Sequence, residues 1–187
     1  MVPLVLLGSL TDRRVGQALK DLFSKRVSFL HICGSKLDLS GTAPDFLIYE
    51  TDTLEHLPVD TGILICKETL RQPGVSLCHV EWPACYQNMI GILSSEDTAG
   101  AQLFQQMELT TITCGLSGKD SLTLSSITSD SAVICLQRTI RSLSGQEIDP
   151  GEIPVTLNRP IDRYSLLAAV AVALLSQRRE LLDQLHF

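Results

Sequence analysis

Three groups of residues in this chain have types and spacings that can do chemistry. The first is Gly8-Ser9-Leu10-Thr11-Asp12-Arg13-Arg14, which follows an apolar segment at 2–7 and precedes a helical pattern. A turn that delivers a strand to a helix N-terminus presents backbone N–H groups and the positive end of the helix dipole, which together suit an anion. Gly8 permits a sharp turn, Ser9 and Thr11 offer hydroxyls, and Arg13 and Arg14 offer charge. These five residues and Glu50 are the candidate ligand-binding set. The competing reading is an ordinary turn, with Ser9 and Thr11 as caps and both arginines solvated.

The second group is Glu50, Asp52 and Glu55, at and just beyond the end of an apolar run. Strand ends are where α/β proteins keep their chemistry, and paired carboxylates can bind Mg²⁺ or act as acid and base. No partner base, nucleophile or lysine is evident nearby in the sequence, so a polar helix start is the favoured reading and no catalytic residue is assigned. The third group is Cys78, His79 and Cys85, a nucleophile and a base in principle. Adjacent residues of a strand point to opposite faces, so Cys78 and His79 do not pair readily. Trp82 and Tyr86 nearby read better as interaction candidates, because aromatic side chains anchor interfaces when exposed.

The chain has six cysteines and no C-x-x-C pair. Cys33, Cys66, Cys114 and Cys135 fall in or beside apolar runs, where cysteine acts as a small hydrophobe. A metal site built from His31, Cys33, Cys78, His79 and Cys85 matches no ligand spacing, so no metal is expected, and His31 reads as a strand residue with a satisfied hydrogen bond.

These groups must be carried by elements of an α/β domain. Apolar runs of strand length occur at 2–7, 27–33, 46–50, 62–66, 75–80 and 89–93, as buried parallel strands require. Between the first two, Val15, Leu19, Leu22 and Phe23 form one face of a helix, with Thr11 or Asp12 to cap it and Lys25-Arg26 to close it. A second helix is expected after Ser94 or Ser95, with Glu96 and Asp97 in its first turn, followed by a strand at 110–114. Beyond 120 the pattern alternates through 122–127, 132–141 and 152–157, which predicts a small antiparallel meander beside the main sheet. A closing helix is expected over 163–185.

With 187 residues, one domain is expected: a mostly parallel sheet with flanking helices over 1–118, the antiparallel excursion over 119–160 and the C-terminal helix over 161–187. A net charge of −6 leaves no footprint for nucleic acid or an anionic membrane. The longest apolar run, at 166–175, is well short of the ~20 residues of a membrane span. With no basic n-region or cleavage site at the start, the expected setting is cytoplasmic, with reduced thiols.

The segments Ser94-Ser95-Glu96-Asp97, Thr111-Ile112-Thr113-Cys114-Gly115-Leu116-Ser117 and 122–127, followed by Asp162-Arg163-Tyr164-Ser165-Leu166-Leu167-Ala168-Ala169, occur in an order that resembles the central, ATP-binding domain of the Mur ligases and the related folylpolyglutamate synthetases. Leu6-Leu7-Gly8 sits where that family's phosphate loop begins, and Glu50 near its magnesium-associated glutamate. The resemblance implies the fold, but the chain departs from the pattern where chemistry is done. Aligned from Gly8, the loop's second glycine becomes Thr11, its lysine Asp12 and its metal-binding threonine Arg13. An acid in place of the phosphate lysine turns attraction into repulsion.

The asparagines that help hold adenine correspond to Asp162 and Ser165. The family's Asp-His pair has only Cys78-His79-Val80-Glu81 as a poor counterpart, and the flanking ligase domains have no counterpart here. The expectation is a non-catalytic protein without a cofactor, ATP and Mg²⁺ being disfavoured, that acts on a protein partner or as a homo-oligomer. A residual nucleotide or phosphate site and one chain of a split ligase are the alternatives.

Overall fold

The computed structural model describes residues 1–24, 26–54, 59, 61–68, 88–178, 181 and 185–187. Glu55, Cys78, His79, Trp82, Tyr86, Cys85 and the strand expected at 75–80 lie outside the described residues.

The expected α/β fold is present. The elements run β1 (Val2–Leu7), α1 (Arg14–Phe23), β2 (Phe29–Cys33), β3 (Lys36–Ser40), β4 (Phe46–Thr51), β5 (Thr61–Cys66), β6 (Asn88–Ser94), α2 (Thr98–Gln106), β7 (Thr110–Gly115), β8 (Leu122–Ile127), β9 (Ser131–Leu136), β10 (Ile140–Arg141), β11 (Glu147–Ile148), β12 (Gly151–Thr156), α3 (Arg163–Ser176) and β13 (Leu185–His186). Among the described residues, eleven strands form one sheet in the order β13-β12-β9-β8-β7-β6-β5-β1-β4-β2-β3, and β10 and β11 form a separate antiparallel pair. The strands from β2 through β4, β1, β5, β6 and β7 to β8 are mutually parallel. Their C-terminal ends therefore share one edge.

The elements follow from local pattern. Val5 and Leu7 face one side of the sheet and Leu4 and Leu6 the other, and all four are fully buried, as a doubly covered strand requires. On one face α1 and α3 pack over Leu4, Leu6, Ile48, Ile63 and Ile65. On the other, α2 supplies Leu103 and Phe104 to a cluster with Val5, Leu7, Leu64 and Leu93. α1 is amphipathic with Val15, Leu19, Leu22 and Phe23 inward, and Phe23 stacks on Phe46 with centroids 4.3 Å apart. α3 is buried on all sides from Tyr164 to Leu175, as its uniformly apolar sequence demands.

Several expectations are corrected. The hairpin strand β3 is not among the expected strands, because Lys-Leu-Asp-Leu-Ser, exposed on both faces, contains no apolar run. The closing helix ends at Ser176, not 185. Gln177 adopts φ 49 and caps it, Leu181 turns back into the core, and β13 follows as a strand beside β12. Residues 132–141 form two strands, β9 and β10.

The caps move as well. α2 begins one turn later than Ser94, with Asp97 as its N-cap accepting from the Gly100 N–H at 3.0 Å. α1 begins after Arg13, which makes no side-chain capping bond. The antiparallel strands continue the main sheet: β8 joins β7 in parallel, then pairs antiparallel with β9, and β9 with β12. No helix among the described residues is long and apolar enough to cross a membrane.

Candidate functional site

Three strands deliver their ends to one place. In β1, β4 and β5 the residues facing α1 and α3 are Leu6, Ile48 and Ile65, and two positions further along each chain stand Gly8, Glu50 and Lys67. The two-residue period of a strand thus aims Glu50 and Lys67 to the face where α1 begins. β1 lies between β4 and β5, so the chain from Gly8 to Arg14 passes between the two charged side chains. Gly8 takes φ 140, a conformation that L side chains rarely adopt, and its N–H donates to the Thr51 carbonyl at 2.9 Å.

Lys67 fills the centre of this loop. Its side chain is fully buried, and Nζ donates to the carbonyls of Ser9 (3.1 Å) and Asp12 (2.9 Å) and to Glu50 Oε2. Glu50 Oε1 receives His31 Nε2 at 2.7 Å, with Arg13 Nη1 at 3.7 Å. Burial opposes the charge on Glu50, but hydrogen bonds from His31 and Lys67 outweigh it and hold the carboxylate below its usual range. Room for Glu50 comes from Gly16 on α1, where a Cβ would stand 2.7 Å from Oε1.

The remaining loop charges also pair internally. Asp12 takes two bonds from the Arg14 guanidinium, at 3.0 Å (Nε to Oδ1) and 2.8 Å (Nη2 to Oδ2), and Arg14 Nη1 reaches Glu68 Oε2 at 2.9 Å. Burial again opposes the charge on Asp12, and the Arg14 hydrogen bonds overcome it; the same pairing raises Arg14. Ser9 and Thr11 share a hydroxyl contact of 2.8 Å. Arg13 also donates to Cys33 Sγ.

The loop candidates Gly8, Ser9, Thr11, Arg13 and Arg14 and the distant Glu50 are therefore neighbours in space. Of the three carboxylates weighed at this strand end, Glu50 is buried and Asp52 is exposed, while Glu55 and the helix start expected there lie outside the described residues. The expectation that no lysine stands near Glu50 is overturned by Lys67, 17 residues away in sequence. The one available signal was a lysine directly after the wholly apolar end of β5. His31 has the satisfied bond expected of it. No group of three or more potential metal ligands occurs among the described residues.

Beside this site, Tyr164 at the start of α3 donates its hydroxyl to the Cys66 carbonyl, and Asp162 caps the helix by accepting from the Ser165 N–H at 2.9 Å. Burial pushes the Cys66 and Tyr164 groups well up, so both stay protonated near neutrality.

No protein-family model and no curated protein matches this sequence. Solved structures do match in fold. A UDP-N-acetylmuramoyl-L-alanyl-D-glutamate–2,6-diaminopimelate ligase aligns with a TM-score of 0.60 at 10% identity, over 98% of this chain and 45% of its own. A MurF from Acinetobacter baumannii aligns at 0.57 and 11%, over 98% and 44%. The MurF ligase of Thermotoga maritima, solved in complex with ADP, aligns at 0.54 and 12%, over 97% and 48%. The chain spans less than half the length of these ligases, and it shares with them an α/β fold.

Proposed function

We propose that this chain is a non-catalytic protein of Mur-ligase fold that acts by binding, as a regulator, scaffold or subunit partner. The observation behind this reading is the position of Lys67. A phosphate loop works by turning backbone N–H groups and a lysine outward to an anion. Here Lys67 lies inside the loop, and the carbonyls of Ser9 and Asp12 turn inward to it.

Glu50 is already paired with Lys67 and hydrogen-bonded to His31, with Arg13 close by, and Asp12 stands against Arg14 where an attractive charge for phosphate is needed. These residues do not fit Mg-ATP in the family's manner. The four described cysteines are all free, which suits a reducing, cytoplasmic setting.

The test is a pair of measurements on the purified protein: steady-state ATP hydrolysis, and a thermal-shift titration with Mg-ATP, ADP and inorganic phosphate. No turnover and no shift are expected; a ligand at a hundred times its Kd would add roughly 2.7 kcal/mol. Turnover that disappears in Glu50→Ala would overturn the reading. A residual phosphate site is the second reading, favoured by one observation: the Arg13 and Arg14 side chains are each 48% exposed at the mouth of the loop. It requires a phosphate-induced shift that Arg13→Ala weakens.

A further inference from the structure

The two edges of the large sheet differ. Among the described residues, one ends in β13, a strand of two residues, and the other in β3, a strand of five. A long open edge offers a row of unpaired N–H and C=O groups to another strand. β3 also exposes Leu37 and Leu39, at 67% and 53%. They share one face, while Lys36 and Asp38 share the other.

The hairpin settles which backbone groups are open. β2 turns into β3 through Gly34-Ser35, with Gly34 at φ 57, and pairs Cys33 with Lys36, Ile32 with Leu37 and His31 with Asp38. The pair flanking a two-residue hairpin loop is hydrogen-bonded, and bonded and non-bonded pairs alternate along the ladder. Lys36 and Asp38 therefore turn their backbone groups toward β2, and Leu37 and Leu39 turn theirs outward.

We infer that β3 pairs antiparallel with β3 of a second copy of this chain, about a two-fold axis at Leu37, so that the two sheets become one. This deepens the binding reading above and rests on it for the expectation that the chain works through protein contacts. Charge order points to a second copy as the occupant. With the axis at Leu37, the two leucines form a hydrogen-bonded pair, and each Lys36 stands opposite Asp38 of the other copy. Those flanking positions are non-hydrogen-bonded pairs, where side chains approach most closely and opposite charges stabilise a sheet.

The neighbouring two-fold registers are disfavoured. An axis at Lys36 sets lysine against lysine, and one at Asp38 sets aspartate against aspartate. Lys20 Nζ holds Asp38 Oδ2 at 2.6 Å from α1, which keeps the carboxylate on the charged face. Leu37 and Leu39 continue an apolar row with half-buried Ile32 and Leu30, their partners in β2. Pairing extends that row into the second copy.

Sedimentation equilibrium on the purified chain tests the inference, with circular dichroism to verify folding of each variant. A dimer is expected. Lys36→Asp and Asp38→Lys each turn two attractive cross-strand pairs into repulsive ones and are expected to weaken it about tenfold or more. The variant Lys20→Asp/Lys36→Asp/Asp38→Lys exchanges the signs of the cross-strand pairs and of the Lys20 contact together, and is expected to recover dimerisation relative to both. A monomer at every concentration, or a dimer indifferent to both single changes, overturns the inference. A monomer that hydrolyses no ATP removes self-pairing and leaves the non-catalytic reading standing; a swap-sensitive dimer that hydrolyses ATP does the reverse.

Discussion

The Lys67 ammonium touches the Glu50 carboxylate at a point where neither side chain has any exposure to solvent. A buried pair of this kind contributes less to stability than its Coulomb attraction suggests, because both ions have lost their water. Its constraint is sharper than its strength: if either partner is lost, the other is left charged and unpaired in the interior.

Glu50→Gln and Lys67→Met are therefore each expected to destabilise the fold by about 3–5 kcal/mol. At ~2–4 °C per kcal/mol for a domain of this size, calorimetry is expected to show a loss of at least ~6 °C. Glu50→Leu/Lys67→Met, which removes both charges, is expected to be clearly more stable than the sum of the single losses. Additive losses would mean that the two groups do not act as a pair.

The acid limb of stability follows from the same residues. Glu50 and Asp12 are both held below the usual carboxylate range, so the folded state binds fewer protons than the unfolded chain at mildly acidic pH. Their contribution is fully present above the unfolded values, near ~4, and is lost as pH falls through the lower folded values. Urea midpoints are expected to be flat with respect to these groups above about pH 5 and to drop below ~4. A Glu50→Gln variant is expected to show a shallower acid limb.

Gly16 makes a counter-intuitive prediction. Alanine favours a helix over glycine by about 1 kcal/mol, yet a Cβ here would stand 2.7 Å from Glu50 Oε1. Gly16→Ala is expected to lower the melting temperature despite the better propensity, because the carboxylate must leave His31 or Lys67. At Gln17, exposed on the same helix, alanine is expected to change stability by no more than about 0.5 kcal/mol. A rise at Gly16 would show that the carboxylate can move at little cost.

The thiols of Cys66 and Cys114 are buried, and burial raises both well above the ordinary cysteine value. Thiolate is the reactive form, so both are expected to resist alkylation in the native protein and to react fully in denaturant. Mass spectrometry of the labelled peptides reads this directly. Native labelling at either one as fast as that of a free thiol would contradict its placement.

Much of the framework was legible because it is local. The run 2–7, the helix face of Val15, Leu19, Leu22 and Phe23, and the strands at 46–50, 62–66, 89–93 and 110–114 each carry their period within a few residues, and they recur with shifts of one or two positions at the ends. β3 was missed because a strand exposed on both faces shows no apolar run. The end of the closing helix is not legible in the sequence, since it depends on Gln177 taking a left-handed conformation and on Leu181 finding the core. The loop at Gly8 and the end of β4 at Glu50 were recognisable as one candidate set. Lys67 between them was not.

From its sequence alone this protein is an α/β chain with a strand-to-helix turn at Gly8–Arg14 that carries one aspartate and two arginines, because composition, period and residue charge need no neighbours to be read. Only the tertiary structure decided that Lys67 fills that turn from within and neutralises Glu50. β4 and β5 flank β1 in the sheet, which sets their ends about 10 Å apart at ~4.8 Å per strand. Lysine and glutamate side chains reaching toward each other close that gap, and strand order is a property of the assembled sheet that no stretch of the chain carries by itself.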